Sequence, residues 1–268
     1  MSEGDIITPP VLERYELKFT IPMFLVEPIS DFVSIYCSLD KYSAMAEDSF
    51  YSVNSLYFDT PYYLFLRNRM LGCKKRFNIR IRSYGDSPQL PYFFEVKQKD
   101  SNVIRKYRGK VYDADWQSPF CLVDYTPRRI DNQKELRNIR LFQRLVHMYD
   151  AGPKILTRYR RKAYVSECED YARVTFDIEL KYMAEETCNL VPDMNKMISY
   201  DMSTNFDSGC SVVLELKCYT TQVPLWMIDC IRTFKLQRRS FSKYMTGVRE
   251  VLNLYTYDTG TRTSTVSF

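Results

Sequence analysis

The sequence predicts an α+β fold in which antiparallel strands and helices share one domain. Aromatic residues make up 15% of the chain, with 22 Tyr and 16 Phe but only 8 Gly, and this composition is rich in strand formers. Apolar and polar residues alternate along eight segments, and helical periodicity occurs in five others. Gaps of hairpin length separate several strands, which favours an antiparallel sheet over parallel βαβ units.

Each element follows from its local pattern. Helix-entry signals are Pro22, the possible caps Asp59 and Thr60, and Pro224, while Gly152 ends a helical stretch. One domain is expected over residues 12–255, with a flexible leader at 1–11 and a flexible Thr/Ser-rich tail at 256–268. The strands are expected at 13–20, 51–58, 76–84, 91–99, 103–112, 155–165, 171–182 and 211–219. The helices are expected at 23–40, 61–71, 135–150, 223–236 and 241–254.

Composition excludes several classes of protein. The eight cysteines are scattered without a CxxC pair or a close Cys/His grouping, which argues against a zinc site. No basic leader precedes an apolar stretch, and no apolar run approaches the length of a membrane span, so a cytoplasmic protein with reduced thiols is expected. The net charge of +5 suits an anionic partner but is low for a dedicated nucleic-acid-binding domain.

Charged residues two apart share one face of five predicted strands, because strand side chains alternate with period two. The spacing Glu-x-Lys recurs three times, at 16/18, 95/97 and 215/217. The members of these faces are Glu16 and Lys18; Arg80 and Arg82; Glu95, Lys97 and Lys99; Arg173, Thr175, Asp177 and Glu179; Glu215 and Lys217.

Two arrangements explain such faces. An ordinary sheet would put them in water, whereas a closed barrel would turn them into a wet lumen beneath outer helices. The faces are almost wholly ionic, which favours the barrel. Arg80 and Arg82 would lie about 7 Å apart, and their repulsion of roughly 2 kcal/mol at an effective dielectric near 20 calls for a polyanion. Guanidinium and ammonium groups suit phosphate oxygens, and carboxylates among them suit a hard divalent cation that bridges phosphates.

Other phosphate and nucleophile chemistries lack their residues. The sequence contains no GxxxxGK[ST] loop and no GxGxxG. His147, the single histidine, lies in a helix-like stretch, so Cys/His and Ser/His schemes have little support. Phosphoryl transfer does not depend on them, since it relies mainly on positioning and charge neutralisation.

Nine short segments in order resemble one family. The chain is similar to the VTC domain, the polyphosphate polymerase module of the triphosphate tunnel metalloenzyme (CYTH-like) superfamily. The segments are RYELKF at 14–19, SLYFDT at 55–60, RIRSYG at 80–85, FEVK at 94–97, IRKYR at 104–108, YRRKAY at 159–164, RVTFD at 173–177, LELK at 214–217 and FSKY at 241–244.

The resemblance implies a closed eight-stranded antiparallel tunnel, flanked by helices, that transfers the γ-phosphate of ATP to a polyphosphate chain with Mn²⁺ or Mg²⁺. Periodicity would pair Arg158 with Arg160, and only the family motif selects Arg161. Glu215 matches the metal carboxylate, with Glu16 and Glu95 as further metal ligands from the shared Glu-x-Lys pattern. Phosphate-gripping positions are Lys18, Arg80, Arg82, Lys97, Arg161, Arg173, Lys217 and Lys243, with Lys106 and Lys99 as additions.

Three alternatives stay open at this point. A tunnel triphosphatase that hydrolyses inorganic or nucleoside triphosphate needs the same basic lining and metal. A non-catalytic polyphosphate-binding module would need no metal carboxylate, and a nucleic-acid binder would be more basic. Family members with a phosphate-sensing domain and membrane helices are known; neither is recognised in this sequence, so a free-standing form is expected, and any membrane partner stays unknown.

Overall fold

A computed structural model describes residues 14–100, 103–117, 125–169, 171–200, 211–219, 223–239 and 241–252. The expected leader and tail lie outside these residues. Ten strands form one antiparallel sheet. The strands are β1 (Arg14–Ile21), β2 (Cys37–Leu39), β3 (Tyr51–Asp59), β4 (Lys75–Tyr84), β5 (Gln89–Asp100), β6 (Val103–Val111), β7 (Gly152–Ser166), β8 (Ala172–Ala184), β9 (Ile198–Ser199) and β10 (Val212–Tyr219).

The eight long strands form a continuous path in the order β1-β10-β8-β7-β3-β4-β5-β6, while the short β2 and β9 pair with β7 and β8. All eight strands predicted from the sequence are confirmed within a few residues. The prediction of a closed sheet is wrong, because β1 and β6 end the path without pairing to each other. The sheet is nevertheless curled. Lys97 of β5 contacts Glu16 of β1 at 2.8 Å, although these strands lie near opposite ends of the path.

The free edge of β1 is covered by a short segment near the C-terminal end of the described chain. Phe19 forms an isolated antiparallel bridge with Arg238, and the Arg239 amide donates to the Lys18 carbonyl at 3.1 Å. These bonds satisfy backbone groups at the edge of β1 that would pair with β6 in a closed barrel. The seam of the curled sheet is therefore bridged by side chains and by this segment.

Six α-helices accompany the sheet in the described residues. The predicted helix at 23–40 is wrong beyond residue 34, because Cys37–Leu39 pairs with β7 instead. Asp40 then caps a short helix by accepting from the Ser43 amide. The helices are α1 (Val26–Ser34), α2 (Lys41–Met45), α3 (Leu64–Met70), α4 (Gln133–Met148), α5 (Leu225–Thr233) and α6 (Lys243–Val251).

Apolar side chains on the outward face of the sheet form two clusters under helices. In one cluster, Ile29 of α1 and Met227 of α5 pack against strands β1, β8 and β10. In the other, Ile139 and Phe142 of α4 pack against strands β3, β4 and β5. These helices cover the outward face, as the barrel interpretation requires.

Helix α6 lies on the inward face, where no helix was expected. Tyr244 stacks on Tyr57 of β3, with ring centroids 5.3 Å apart, and Val248 belongs to the same buried cluster. The Tyr244 hydroxyl donates to the buried Asp59, which also accepts from the backbone amides of α3. Helix α6 therefore fills part of the inward face with apolar and aromatic groups and leaves the remainder to charged side chains.

Gly109 of β6 marks the closest approach of α4 to the sheet. A Cβ at this position would lie 2.4 Å from Ile139 Cγ1 and 2.9 Å from the Glu135 carbonyl oxygen. We therefore expect Gly109→Ala to lower the free energy of unfolding by about 1–3 kcal/mol, as overpacking does. Urea denaturation measures the loss. Gly152→Ala is the matched control, since a Cβ there meets nothing within 4 Å; equal losses in both variants would contradict this packing.

Candidate functional site

The inward face holds an unequal number of opposite charges. In the described part of the chain, nine cationic side chains form ion pairs with only four inward-facing carboxylates, Glu16, Glu95, Asp177 and Glu215. Within this set the cations exceed the carboxylates by five. The cations are Lys18, Arg80, Arg82, Lys97, Lys106, Arg108, Arg161, Lys217 and Lys243.

Strands β1 and β10 build the first group of charges. Their antiparallel register places Lys18 opposite Glu215 and Glu16 opposite Lys217. The Lys18 Nζ lies 2.7 Å from Glu215 and 3.4 Å from Glu16, and the Lys217 Nζ lies 2.5 Å from Glu215. Lys97 joins the group through Glu16. The recurring Glu-x-Lys spacing therefore places two carboxylates and three ammonium groups in mutual contact.

Both carboxylates of this group are ionised at neutral pH. Burial and the neighbouring Glu215 act to raise the pKa of Glu16, but Lys18, Lys97 and Lys217 outweigh them and lower it to about 2. Burial also acts to raise the pKa of Glu215, and Lys18 and Lys217 hold it well below its usual range. Their charges are stabilised by cations rather than by solvent.

Glu95 of β5 is the centre of the second group. Its side chain is 1% exposed and contacts Arg80 and Lys106 at 2.7 Å, Arg108 at 3.3 Å and Arg82 at 3.9 Å. Burial acts to raise the pKa of Glu95, but these four cations hold it well below its usual range. One carboxylate thus organises four cations from strands β4 and β6.

Asp177 of β8 holds the third group. The Arg161 Nε and Nη2 donate to its two oxygens at 2.6 and 2.8 Å, and the Lys243 Nζ at the start of α6 lies 2.6 Å away. Burial acts to raise the pKa of Asp177, whereas Arg161 and Lys243 lower it to about 2. Helix α6 therefore contributes a cation to the same inward face as the strands.

A bulge in the pairing of β7 with β8 decides which arginine faces inward. The register shifts between Arg158 and Arg160, and Glu179 adopts a positive φ of 50°. Arg161 consequently joins Asp177, while Arg160 pairs with Glu179 and Asp48 near the surface. The prediction that Glu179 shares a face with Asp177 is wrong, because strict alternation does not continue through a bulge.

Two predicted phosphate-binding residues lie at the margins of these groups. Arg173 of β8 contacts Asp40 at 2.6 Å, next to the N-terminus of α2. Lys99 stands opposite Arg76 in the β4–β5 register. Burial, Arg76 and Arg69 lower the pKa of Lys99, which places it in a positively charged environment. The structure thus brings eleven of the thirteen predicted residues into the three groups and places these two beside them.

Burial and neighbouring cations together lower the pKa of two lysines on the inward face. Burial lowers the pKa of Lys106 well below its usual range, and Arg82, Arg80 and Arg108 add to the effect even though Glu95 opposes it. Burial and Arg161 likewise lower the pKa of Lys217 against the opposing effect of Glu215. Since nine cations face four carboxylates, the inward face keeps an excess of positive charge that a polyanion would neutralise.

Arg82 has a free donor at this site. Its side chain is nearly inaccessible, and its Nε finds no hydrogen-bond partner within the described chain. A buried donor without an acceptor costs free energy. Phosphate oxygens are suitable acceptors for it.

The carboxylates differ in their fitness for a metal ion. Glu16 and Glu215 both contact the Lys18 ammonium, so they converge, and one or two carboxylates together with substrate phosphates are what Mg²⁺ usually takes. Glu95 is surrounded by four cations that would repel a dication. The three predicted ligands do not form one cluster, since the described residues contain no group of three His, Cys, Asp or Glu side chains able to hold a metal.

Sequence reasoning missed Asp177, Arg108 and Tyr57 as parts of the site. The Arg108 side chain lies over Phe93 and donates to the Tyr84 hydroxyl, and the Arg80 Nη1 donates to the Tyr57 hydroxyl at 2.9 Å. Arg108 shares the period-two face of Lys106, so alternation alone could have found it. Asp177 lay on a predicted charged face, but its pairing with Arg161 and Lys243 depends on long-range contacts that spacing does not reveal.

The VTC domain family model matches residues 13–252 of this chain. A search of curated proteins by sequence finds no match. Among the described residues, no helix is both long and apolar enough to cross a bilayer.

Several solved structures resemble the chain distantly. A candidate adenylate cyclase from Bacillus halodurans has 9% identity and a TM-score of 0.49, covering 86% of this chain and 94% of its own. The PH1819 protein from Pyrococcus horikoshii has 12% identity and a TM-score of 0.43, covering 89% and 99%. A candidate adenylyl cyclase from Hippeastrum, described as having a dominant triphosphatase activity, has 14% identity and a TM-score of 0.44, covering 90% and 96%.

The lowered lysine pKa values predict proton uptake when a polyanion binds. Inorganic tripolyphosphate should raise the pKa of Lys106 and Lys217, so at a pH between the empty and bound values the protein takes up protons as the complex forms. Titration calorimetry over an alkaline pH series, in two buffers of different ionisation enthalpy, measures this gain. Lys106→Met should reduce it. The surface variant Lys196→Met should not, and uptake of no protons by the wild type would contradict the charge excess.

Proposed function

This chain belongs to the VTC domain family, and from that premise we propose that it is an ATP-dependent polyphosphate polymerase. The observation that carries the proposal is the excess of cations over carboxylates on the inward face. A linear polyphosphate carries about one negative charge per phosphate and presents oxygens on every side. Cations projecting from several strands of a curled sheet suit such a ligand.

Each charge group has a part in this proposal. The guanidinium groups of Arg80, Arg82 and Arg161 bind phosphate oxygens in pairs, and the Arg82 Nε has a donor available for them. Lys18, Lys97 and Lys217 supply more compact charges beside them. Lys243 stands at the start of α6, where the positive end of the helix dipole adds to its attraction for anions.

Glu215 and Glu16 would hold the divalent metal, which we propose to be Mn²⁺ or Mg²⁺. A metal held by these two carboxylates would supply positive charge that neutralises part of the charge on the phosphates. Glu95 takes a different part, because it contacts Arg80 and Lys106, which would also bind phosphate. It therefore neutralises these cations in the empty protein and competes with phosphate for them. Asp177 does the same at Arg161 and Lys243.

The reaction needs positioning more than a strong base. An oxygen of the terminal phosphate of the chain attacks the γ-phosphorus of ATP, a new P–O–P link forms, and the bond from the γ-phosphorus to the bridging oxygen breaks as ADP leaves. The attacking oxygen is largely ionised near neutral pH, since the second pKa of a phosphate monoester is about 6. His147 lies on α4 outside the charge groups and takes no part.

A product gel distinguishes this activity from its alternatives. Purified protein incubated with ATP and Mn²⁺ or Mg²⁺ should give a ladder of long phosphate chains. Free phosphate without a ladder would instead identify a tunnel triphosphatase. Absence of both products, in protein that still binds tripolyphosphate, would identify a non-catalytic binding module.

Glu215→Gln tests the metal assignment in the same assay. The substitution removes one charge and keeps the shape, so turnover should fall by roughly 100-fold or more, as when one charge-stabilising group is lost. Tripolyphosphate binding, measured by calorimetry without metal, should persist because the cations remain. Glu186→Gln is the control, since Glu186 is exposed and lies outside the three groups. Full activity of Glu215→Gln would overturn the assignment.

A further inference from the structure

A groove of about 570 Å³ opens beside one end of the inward face. It lies between the loop that joins α2 to β3 and the turn that joins β4 to β5. Its volume lies within the range of small-ligand sites. Aromatic, carboxylate, hydroxyl and guanidinium groups line it, and they include Glu47, Asp48, Phe50, Tyr51, Ser52, Asp86 and Arg160.

Tyr51 belongs to both the groove and the cationic face. In the register of β3 with β7 it stands opposite Arg161. Its hydroxyl lies 3.4 Å from Asp40, the carboxylate that pairs with Arg173. A molecule seated in the groove would therefore have its near end beside two of the cations assigned to phosphate.

Three tyrosine rings from separate elements meet beside the groove and form its tyrosine rim, and Tyr51 is the one that lines the groove itself. Tyr42 of α2 stacks on Tyr84 of β4, with centroids 5.0 Å apart, and Tyr51 lies 5.3 Å from Tyr42 and 5.8 Å from Tyr84. All three are partly exposed rather than fully buried. Partly exposed aromatic faces beside a cationic channel are the usual means of binding a base next to its phosphates.

The chemistry of the groove differs from that of the charged face. Glu47, Asp48 and Asp86 would repel phosphate, but they can accept hydrogen bonds from sugar hydroxyls and exocyclic amines. Asp48 already pairs with Arg160 and Asp86 with Arg158, and each carboxylate retains further acceptor sites. A metal does not explain them, because no cluster of three ligating side chains occurs in the described chain.

We propose that this groove and its tyrosine rim bind the nucleoside half of the nucleotide substrate, with the triphosphate extending past Tyr51 onto the cationic face. The inference rests on the proposed function for its substrate class. It identifies the residues that would let the protein distinguish a nucleoside triphosphate from inorganic triphosphate. Tyr42 is the residue to test, since its ring contacts Tyr51, Tyr84 and the Lys41 ammonium and none of these belongs to the three charge groups.

Paired titrations of ATP and inorganic tripolyphosphate, without metal, test the inference. Tyr42→Ala should weaken ATP binding by about 10-fold, in line with the loss of one stacked base, and leave the affinity for tripolyphosphate unchanged. Unchanged tripolyphosphate binding also verifies that the variant folds. Tyr42→Phe should bind both ligands like the wild type. Tyr62→Ala, a change at a tyrosine exposed near α3, should do the same.

Three results would overturn the inference. In Tyr42→Ala, the affinities for ATP and tripolyphosphate could fall by the same factor, or neither affinity could fall. The third result is a wild type that binds tripolyphosphate but not ATP. These outcomes are separate from failure of the proposed function. A protein that makes no phosphate ladder yet loses only ATP affinity in Tyr42→Ala would refute the polymerase and retain the nucleoside site.

Discussion

Repulsion between like charges inside a curled sheet is the constraint on which the site depends. Arg80 and Arg82 lie two residues apart on one strand, and at about 7 Å and an effective dielectric near 20 they repel by roughly 2 kcal/mol. Lys106 and Arg108 form a second such pair on β6, and both pairs are among the nine cations that the described residues bring together. Glu95, with four cations around it, and Asp177, with two, reduce this repulsion without removing it. Burial and the neighbouring cations together lower the pKa of Lys106 and Lys217.

The fold tolerates the repulsion between these cations because its stability comes from hydrophobic groups outside the charged part of the inward face. Two apolar clusters under the outer helices and a third around Tyr57 and Tyr244 supply the burial that stabilises the domain. Helix α6 joins the two parts, since Tyr244 packs in the third cluster while Lys243 reaches Asp177. Helix α6 therefore contributes both to the hydrophobic core and to the charged site. The part of the inward face that it does not cover is lined by charged side chains.

Local periodicity was sufficient for the eight long strands and for the charged faces, because strand alternation is a local property. It was insufficient where distant pairing decides the outcome. Cys37–Leu39 becomes a strand only because β7 offers it an edge. The bulge between β7 and β8 turns Arg161 inward and Glu179 outward, and no single-strand pattern reveals it. Closure failed as a prediction for a similar reason, since the β1 edge is occupied by Arg238 and Arg239 rather than by β6.

Glu95 and Asp177 contact cations that would also bind phosphate, so these two carboxylates and the ligand compete for the same groups. Glu95→Gln separates the effect of this carboxylate on the stability of the empty protein from its effect on ligand affinity. Loss of this buried partner should lower the free energy of unfolding of the empty protein by about 3–5 kcal/mol. Calorimetric titration of the same variant with tripolyphosphate is the direct measurement, and the competition predicts tighter binding than in the wild type. Weaker binding would contradict the account, because it would mean that Glu95 assists the ligand instead of occupying its place.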